Sequence, residues 1–137
     1  MMKPICIVDD NEDLQFIYRR KFEDEGFRVV SAMNGMEALE LVPQEMPGVI
    51  LLDVHMPKMD GVEVLRHLKA DPKTKDIPVI ILSNVDSDIT FQEVSELGAA
   101  EYYMVKAHVT IQKVMDTAIE VMRSHEEATG STEAGVE

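Results

Sequence analysis

Residues 49–52, Val-Ile-Leu-Leu, form an unbroken apolar run that stops at one carboxylate, Asp53. Four apolar residues in succession suit a strand covered on both faces, as in the middle of a parallel sheet. Pro57 and Gly61 then impose a loop, and Asp60-Gly61-Val62-Glu63 reads as a helix start with a capping-box glutamate. Ligands of open parallel sheets bind beyond the carboxyl ends of the strands. Asp53 therefore stands where chemistry is usually done, although a strand-end aspartate more often serves a turn. The rest of the chain decides between these readings.

Four further apolar runs repeat the pattern. Ile5-Cys-Ile-Val8 ends at Asp9-Asp10, Phe27-Arg-Val-Val30 is a second strand, Ile77-Pro-Val-Ile-Ile-Leu82 ends at Ser83, and Tyr102-Tyr-Met-Val105 ends at Lys106. Between them lie segments of helical period. Leu14, Ile17, Tyr18 and Phe22 mark the first, with Gly26 as its stop. Asn34-Gly-Met-Glu37 caps a second, whose face is Ala38, Leu39 and Val42 and whose end is bracketed by Pro43 and Pro47. Val62, Leu65 and Leu68 mark the third, which breaks at Asp71-Pro72. A fourth runs from Asp86 to Leu97 and is poor in large apolar residues, so it is expected to be the most loosely held. Ile111, Val114, Met115, Ala118, Val121 and Met122 mark the fifth. Five strands alternating with five helices imply an α/β doubly wound parallel sheet with right-handed crossovers.

Composition sets the remaining bounds. A chain of 137 residues with 45% apolar and 28% charged residues suits one globular domain. Its net charge of −13 repels nucleic-acid phosphate and anionic membrane, so neither is expected as a partner. The single cysteine, Cys6, sits in an apolar run and reads as a buried reduced thiol. No apolar run is long enough to span a membrane, and Met1-Met-Lys-Pro lacks the apolar core of a signal peptide, so the cytoplasm is the expected location. Residues 125–137 hold no large apolar residue except Val136 and read as an acidic disordered tail behind a folded body of residues 3–124.

The strand ends bring Asp9, Asp10, Asp53, Ser83 and Lys106 to one edge of the sheet. Three crowded carboxylates repel unless a cation joins them. Mg²⁺ (or Mn²⁺) suits, because it takes one or two carboxylates, keeps waters and bridges to phosphate oxygens. Three carboxylates are then balanced by the ion and Lys106, and the site can accept a phosphoryl group. Asp53 is placed as the nucleophile and, being ionised, needs no general base. Lys106 and the Ser83 hydroxyl would stabilise the phosphoryl oxygens.

With these residues the chain resembles the receiver domain of bacterial two-component response regulators. The resemblance covers about residues 3–124 and rests on Asp9-Asp10, the run Asp53-Val-His-Met-Pro57-Lys-Met-Asp60-Gly61, Ser83 and Lys106. It implies a flavodoxin-like sheet of order 2-1-3-4-5. By the same resemblance, Asp53 takes its phosphoryl group from a phosphohistidine on a sensor histidine kinase or a histidine phosphotransfer protein. Asp10, Asp53 and the backbone carbonyl of His55 bind the ion directly, and Asp9 acts through water. Tyr103, with Ser83, is the switch that reshapes the surface formed by the fourth helix, fifth strand and fifth helix. Strand alternation puts Tyr103 on the face opposite Lys106, towards the fourth and fifth helices.

Two positions depart from the family pattern. Ala107 stands where a proline usually follows the lysine, which bears on how Lys106 is placed. Asn84 stands where a very small residue is usual, beside the phosphoryl site, and is expected to alter phosphorylation or dephosphorylation kinetics.

The expected protein is a phospho-accepting switch, not an enzyme acting on other molecules, and it signals by binding an unknown downstream protein. Whether phosphorylation also pairs two copies is left open. Rival readings are an intermediate carrier in a phosphorelay, a docking module that is never phosphorylated, a flavin carrier and an aspartyl-phosphate hydrolase. The flavin carrier would need a phosphate loop after the first strand, where this chain has Asp9-Asp-Asn-Glu-Asp13. The hydrolase would need an insertion to cap its substrate, and none is visible.

Overall fold

The computed structural model describes residues 3–54, 56, 59–83, 92 and 102–134. The elements are β1 (Ile5–Val8), α1 (Glu12–Asp24), β2 (Val29–Ala32), α2 (Gly35–Glu45), β3 (Val49–Asp53), α3 (Gly61–Ala70), β4 (Val79–Ser83), β5 (Tyr102–Val105), a 3₁₀ turn (Lys106–His108) and α4 (Ile111–Ala134). The five strands form one parallel sheet of order 2-1-3-4-5, the flavodoxin-like arrangement. The fourth helix of the sequence reading (86–97), apart from Gln92, lies outside the described residues, as do Asn84, His55 and Pro57. The helix labelled α4 is thus the fifth of that reading.

Alternation along the strands builds two cores, one per face. Cys6, Val8, Ile50, Leu52, Val79 and Ile81 pack with Ala38, Val42, Val64 and Leu65 of α2 and α3. Ile5, Ile7, Val49, Leu51, Ile80 and Leu82 pack with Tyr18 and Phe22 of α1 and Val114, Met115 and Met122 of α4. Each such buried aliphatic side chain contributes about 1.5–3 kcal/mol relative to exposure.

Local chemistry sets the element ends. Asn34 and Asp60 cap α2 and α3 by accepting from the N–H groups of Glu37 (3.0 Å) and Glu63 (2.9 Å). The Glu37 carboxylate reaches back to the Met33 N–H at 2.8 Å, completing a box around the start of α2.

In three places the structure differs from the sequence reading. Strand β2 starts at Val29, not Phe27, because Phe27 closes the preceding turn: its N–H bonds the Phe22 carbonyl at 3.0 Å and its ring packs edge-on against Phe22. The end of α2 falls between Pro43 and Pro47 as expected, at Met46 in the left-handed region (φ 45°), with Pro43 itself inside the helix. On α1 the inner stripe is Gln15, Tyr18 and Phe22, whereas Ile17 faces outward. Finally, the backbone stays helical to Ala134, so residues 125–134 are helix where a disordered tail is expected. Once the apolar stripe ending at Met122 holds the helix, each added residue needs propagation and no new nucleation.

Candidate functional site

Register brings the strand ends to one edge. Val8 pairs with Leu52, so Asp9, the next residue, is level with Asp53. Asp53 pairs with Leu82 and Ser83 with Val105, so Ser83 and Lys106 each lie one step further along. The four strands form a staircase whose treads are the candidate residues.

The carboxylates of Asp9, Asp10 and Asp53 present oxygens within 4.8 Å of one another. Asp9 and Asp53 are 1% and 2% exposed, and Asp10 faces solvent. Lys106 extends its ammonium between the two buried carboxylates, 2.9 Å from Asp9 Oδ2 and 3.4 Å from Asp53 Oδ2. The other Asp9 oxygen, Oδ1, accepts from the Asn11 N–H at 2.9 Å. Both oxygens of Asp9 are therefore engaged within the chain. Formally, among the described residues, three negative charges face one ammonium. A hard divalent cation fits this all-oxygen, acidic donor set. The field of Asp9 also reaches the core beneath: burial, reinforced by Asp9, pushes the Tyr18 hydroxyl up to about 12.

The backbone around the acceptor is tightly built. The Gly61 N–H bonds the Val54 carbonyl at 3.1 Å, closing the β3–α3 loop on itself. A Cβ on Gly61 would lie 2.5 Å from the Asp53 carbonyl oxygen and 2.6 Å from Val54 Cα. Only glycine lets the start of α3 sit this close to the end of β3.

Of the residues singled out from sequence, the structure brings together Asp9, Asp10, Asp53 and Lys106 and places Ser83, fully buried, at the end of the neighbouring strand. Lys106 opens a 3₁₀ turn with Ala107, and no cis peptide bond occurs among the described residues. Tyr103 is half-buried and packs against the α2/α3 core, while Met104, whose parity Lys106 shares, packs against the other. The apolar residues of α4, however, belong to the core on the face away from Tyr103.

One residue escaped the sequence reading. Gln15, 6% exposed, points its amide into the carboxyl end of the sheet and donates to the carbonyls of Ile7, Asp9 and Ala32 at 3.0–3.1 Å. Its trace in the sequence is spacing: Gln15, Tyr18 and Phe22 share a helical stripe, and a polar residue there is out of place.

A doubly wound sheet with an acidic pocket and a lysine at its carboxyl edge defines a class of domain, and the comparisons narrow it. Residues 5–118 match the response regulator receiver domain family. The chain is 36% identical over 103 residues to sporulation initiation phosphotransferase F of Bacillus subtilis, covering 75% of this chain and 82% of that protein. It is 31% identical over 117 residues to the polar-differentiation response regulator DivK of Brucella anthropi, covering 85% and 94%. Among solved structures, the chemotaxis protein CheY4 of Vibrio cholerae superposes with a TM-score of 0.79 at 27% identity, covering 88% of this chain and 99% of that one. The chain belongs to the response regulator receiver family.

Proposed function

We propose that this receiver is a phosphorylation switch whose acceptor is Asp53. The observation that carries the reading is the placement of Lys106 between Asp9 and Asp53, with a third carboxylate within 4.8 Å. Buried beside the Lys106 ammonium, Asp53 is an anionic oxygen nucleophile held at a site already organised for opposite charge. In the transfer, an Asp53 carboxylate oxygen forms a bond to phosphorus while the phosphorus–nitrogen bond of a donor phosphohistidine breaks. The leaving imidazole keeps the electron pair and takes up a proton. Lys106 moves from the two carboxylates towards the phosphoryl oxygens, and the Ser83 hydroxyl donates to one of them. Asn84, the residue after Ser83 in the sequence, tunes the lifetime of the acyl phosphate.

Asp10, Asp53 and the His55 carbonyl would hold Mg²⁺ or Mn²⁺, with Asp9 acting through water. The ion supplies positive charge for the phosphoryl oxygens. Ser83 and Tyr103 then bias a two-state surface around residues 86–97, β5 and α4, through which a downstream protein is bound. The donor is a sensor histidine kinase or a histidine phosphotransfer protein, and the setting is cytoplasmic. Among the described residues no helix is long and apolar enough to cross a membrane. The receiver body is assigned to residues 3–124, with 125–137 as an acidic appendage.

A second reading, the intermediate carrier of a phosphorelay, is favoured by the 36% identity to a protein named as a phosphotransferase. The two readings share the Asp53 chemistry and differ in whether the phosphoryl group moves on to another histidine.

Intact-mass spectrometry after incubation with a small acyl phosphate tests the shared claim. One added phosphoryl group is expected with Mg²⁺, none with chelator and none in Asp53→Asn. An equal gain in Asp53→Asn contradicts the assignment.

A further inference from the structure

We propose that Gln15 is the positioning residue for the acidic pair, setting the geometry in which Asp9 and Asp10 meet a divalent cation. The inference rests on the reading of the site as a Mg²⁺ site. Gln15 occupies the inner stripe of α1 with Tyr18 and Phe22, where packing alone calls for an apolar side chain. Instead, its Nε2 faces three main-chain carbonyls, Ile7 at 3.1 Å, Asp9 at 3.0 Å and Ala32 at 3.0 Å. An amide nitrogen has two hydrogens, so one is shared. Its Oε1, in contrast, is buried with no hydrogen-bond partner among the described residues. Turning the amide over would set that oxygen against the three carbonyls, so its orientation is fixed. A buried acceptor left unsatisfied is uncommon and calls for a reason. The reason here is the donor end.

The last β1–β2 pair is Val8 with Ala32, and the Asp9 N–H still bonds the Ala32 carbonyl at 3.1 Å. The Asp9 carbonyl lies beyond the ladder, and Gln15 takes the place of the missing strand partner. That carbonyl belongs to the peptide joining Asp9 to Asp10. Holding it limits rotation about the bonds on either side, and both carboxylates project from those bonds. Asn11 N–H and Lys106 hold the Asp9 side chain from the other end. Mg²⁺ demands near-ideal octahedral geometry, so a small rotation of this peptide weakens binding.

The test is Mg²⁺ titration calorimetry on the full chain, alongside thermal unfolding in chelator. Gln15→Met keeps length and apolar packing but removes the donor, and Gln15→Asn keeps the amide but falls short of the carbonyls. Phe22→Leu, on the same stripe away from the site, is the control for lost stability. Both Gln15 variants are expected to bind Mg²⁺ about tenfold more weakly, the usual effect of removing an outer-shell partner. Phe22→Leu is expected to lower the unfolding temperature and leave the affinity unchanged. Unchanged affinity in whichever Gln15 variant folds, or an equal loss in Phe22→Leu, overturns the role of Gln15 alone. Absence of Mg²⁺ binding by the unmodified chain overturns the reading of the site as well.

Discussion

Lys106 and Asp9 are 97 positions apart in the chain and 2.9 Å apart in space. Their strands are not neighbours: β3 and β4 lie between β1 and β5, so the strand axes are roughly 14 Å apart. The contact is made over the ends of the two intervening strands, with Asp53 on the way at 3.4 Å. One ammonium thus ties the first strand to the last and shields two buried acids from each other.

Lys106→Met should therefore leave those acids uncompensated. Because the lysine side chain is 22% exposed, the loss is below that of a fully buried pair, roughly 1–3 kcal/mol in urea unfolding with chelator present. Mg²⁺ should restore part of it, since an ion bound to the folded form stabilises by mass action. Phosphorylation by a small acyl phosphate should slow roughly 100-fold, as when one donor to developing charge is removed. A variant as stable as the parent in chelator would show that the contact carries no charge compensation.

Asp53→Asn should have the opposite effect on stability. It removes one of three crowded negative charges, so the unfolding midpoint in chelator should rise by the equivalent of about 0.5–2 kcal/mol. Calorimetric scans with and without Mg²⁺ check this, and the gain should shrink when the ion is present. A lower midpoint in chelator would mean that repulsion among the acids is not a significant cost.

Gly61→Ala tests the backbone beneath the acceptor. The added methyl meets main-chain atoms at 2.5–2.6 Å, and these cannot step aside as a flexible side chain would. A cost of about 1–3 kcal/mol is expected from overpacking, with weaker Mg²⁺ binding because the end of β3 is displaced. Denaturant midpoints and calorimetry report the two effects separately.

Burial pushes the Cys6 thiol up from 9.0 to about 12, with the charge of Glu45 adding to the shift. Burial and Asp9 push the Tyr18 hydroxyl from 10.0 to about 12. Both groups are held neutral in the folded state. Stability from this source is intact below the unfolded values, then falls as the unfolded chain ionises first, and is lost by about pH 12. Each group should contribute a slope of ~1.4 kcal/mol per pH unit within its window. Below pH 8.5 stability should be insensitive to both, and Cys6 should resist alkylation until the chain unfolds. Rapid labelling of native protein at pH 8 would contradict this.

The strand ends were legible because a strand buried on both faces is written as an apolar run, and the first polar residue after it marks the edge. Asp9, Asp53, Ser83 and Lys106 are all read this way. Asn34 and Asp60 were legible because a capping side chain acts within one turn of its own helix. What remained hidden depends on partners distant in sequence. Ile17 and Gln15 both fit a helical stripe, and only the position of the sheet decides which turns inward. Phe27 has strand propensity but is claimed by Phe22. Pro43 is a helix breaker by local rules, yet α2 continues through it while Val42 is fully buried in the core on that face of the sheet. The contact of Lys106 with Asp9 rather than Asp53 alone, and the three carbonyls gathered under Gln15, exist only once the sheet has closed.

The central claim, that Asp53 is the phosphoryl acceptor, is tested most directly by locating the modification. Protein treated with a small acyl phosphate and Mg²⁺ is reduced with borohydride, which converts an aspartyl phosphate to homoserine, and the peptides are then mapped. Conversion is expected at position 53 alone, dependent on Mg²⁺. Conversion at Asp9 or Asp10, or none at position 53 in protein that has gained a phosphoryl group, would contradict it.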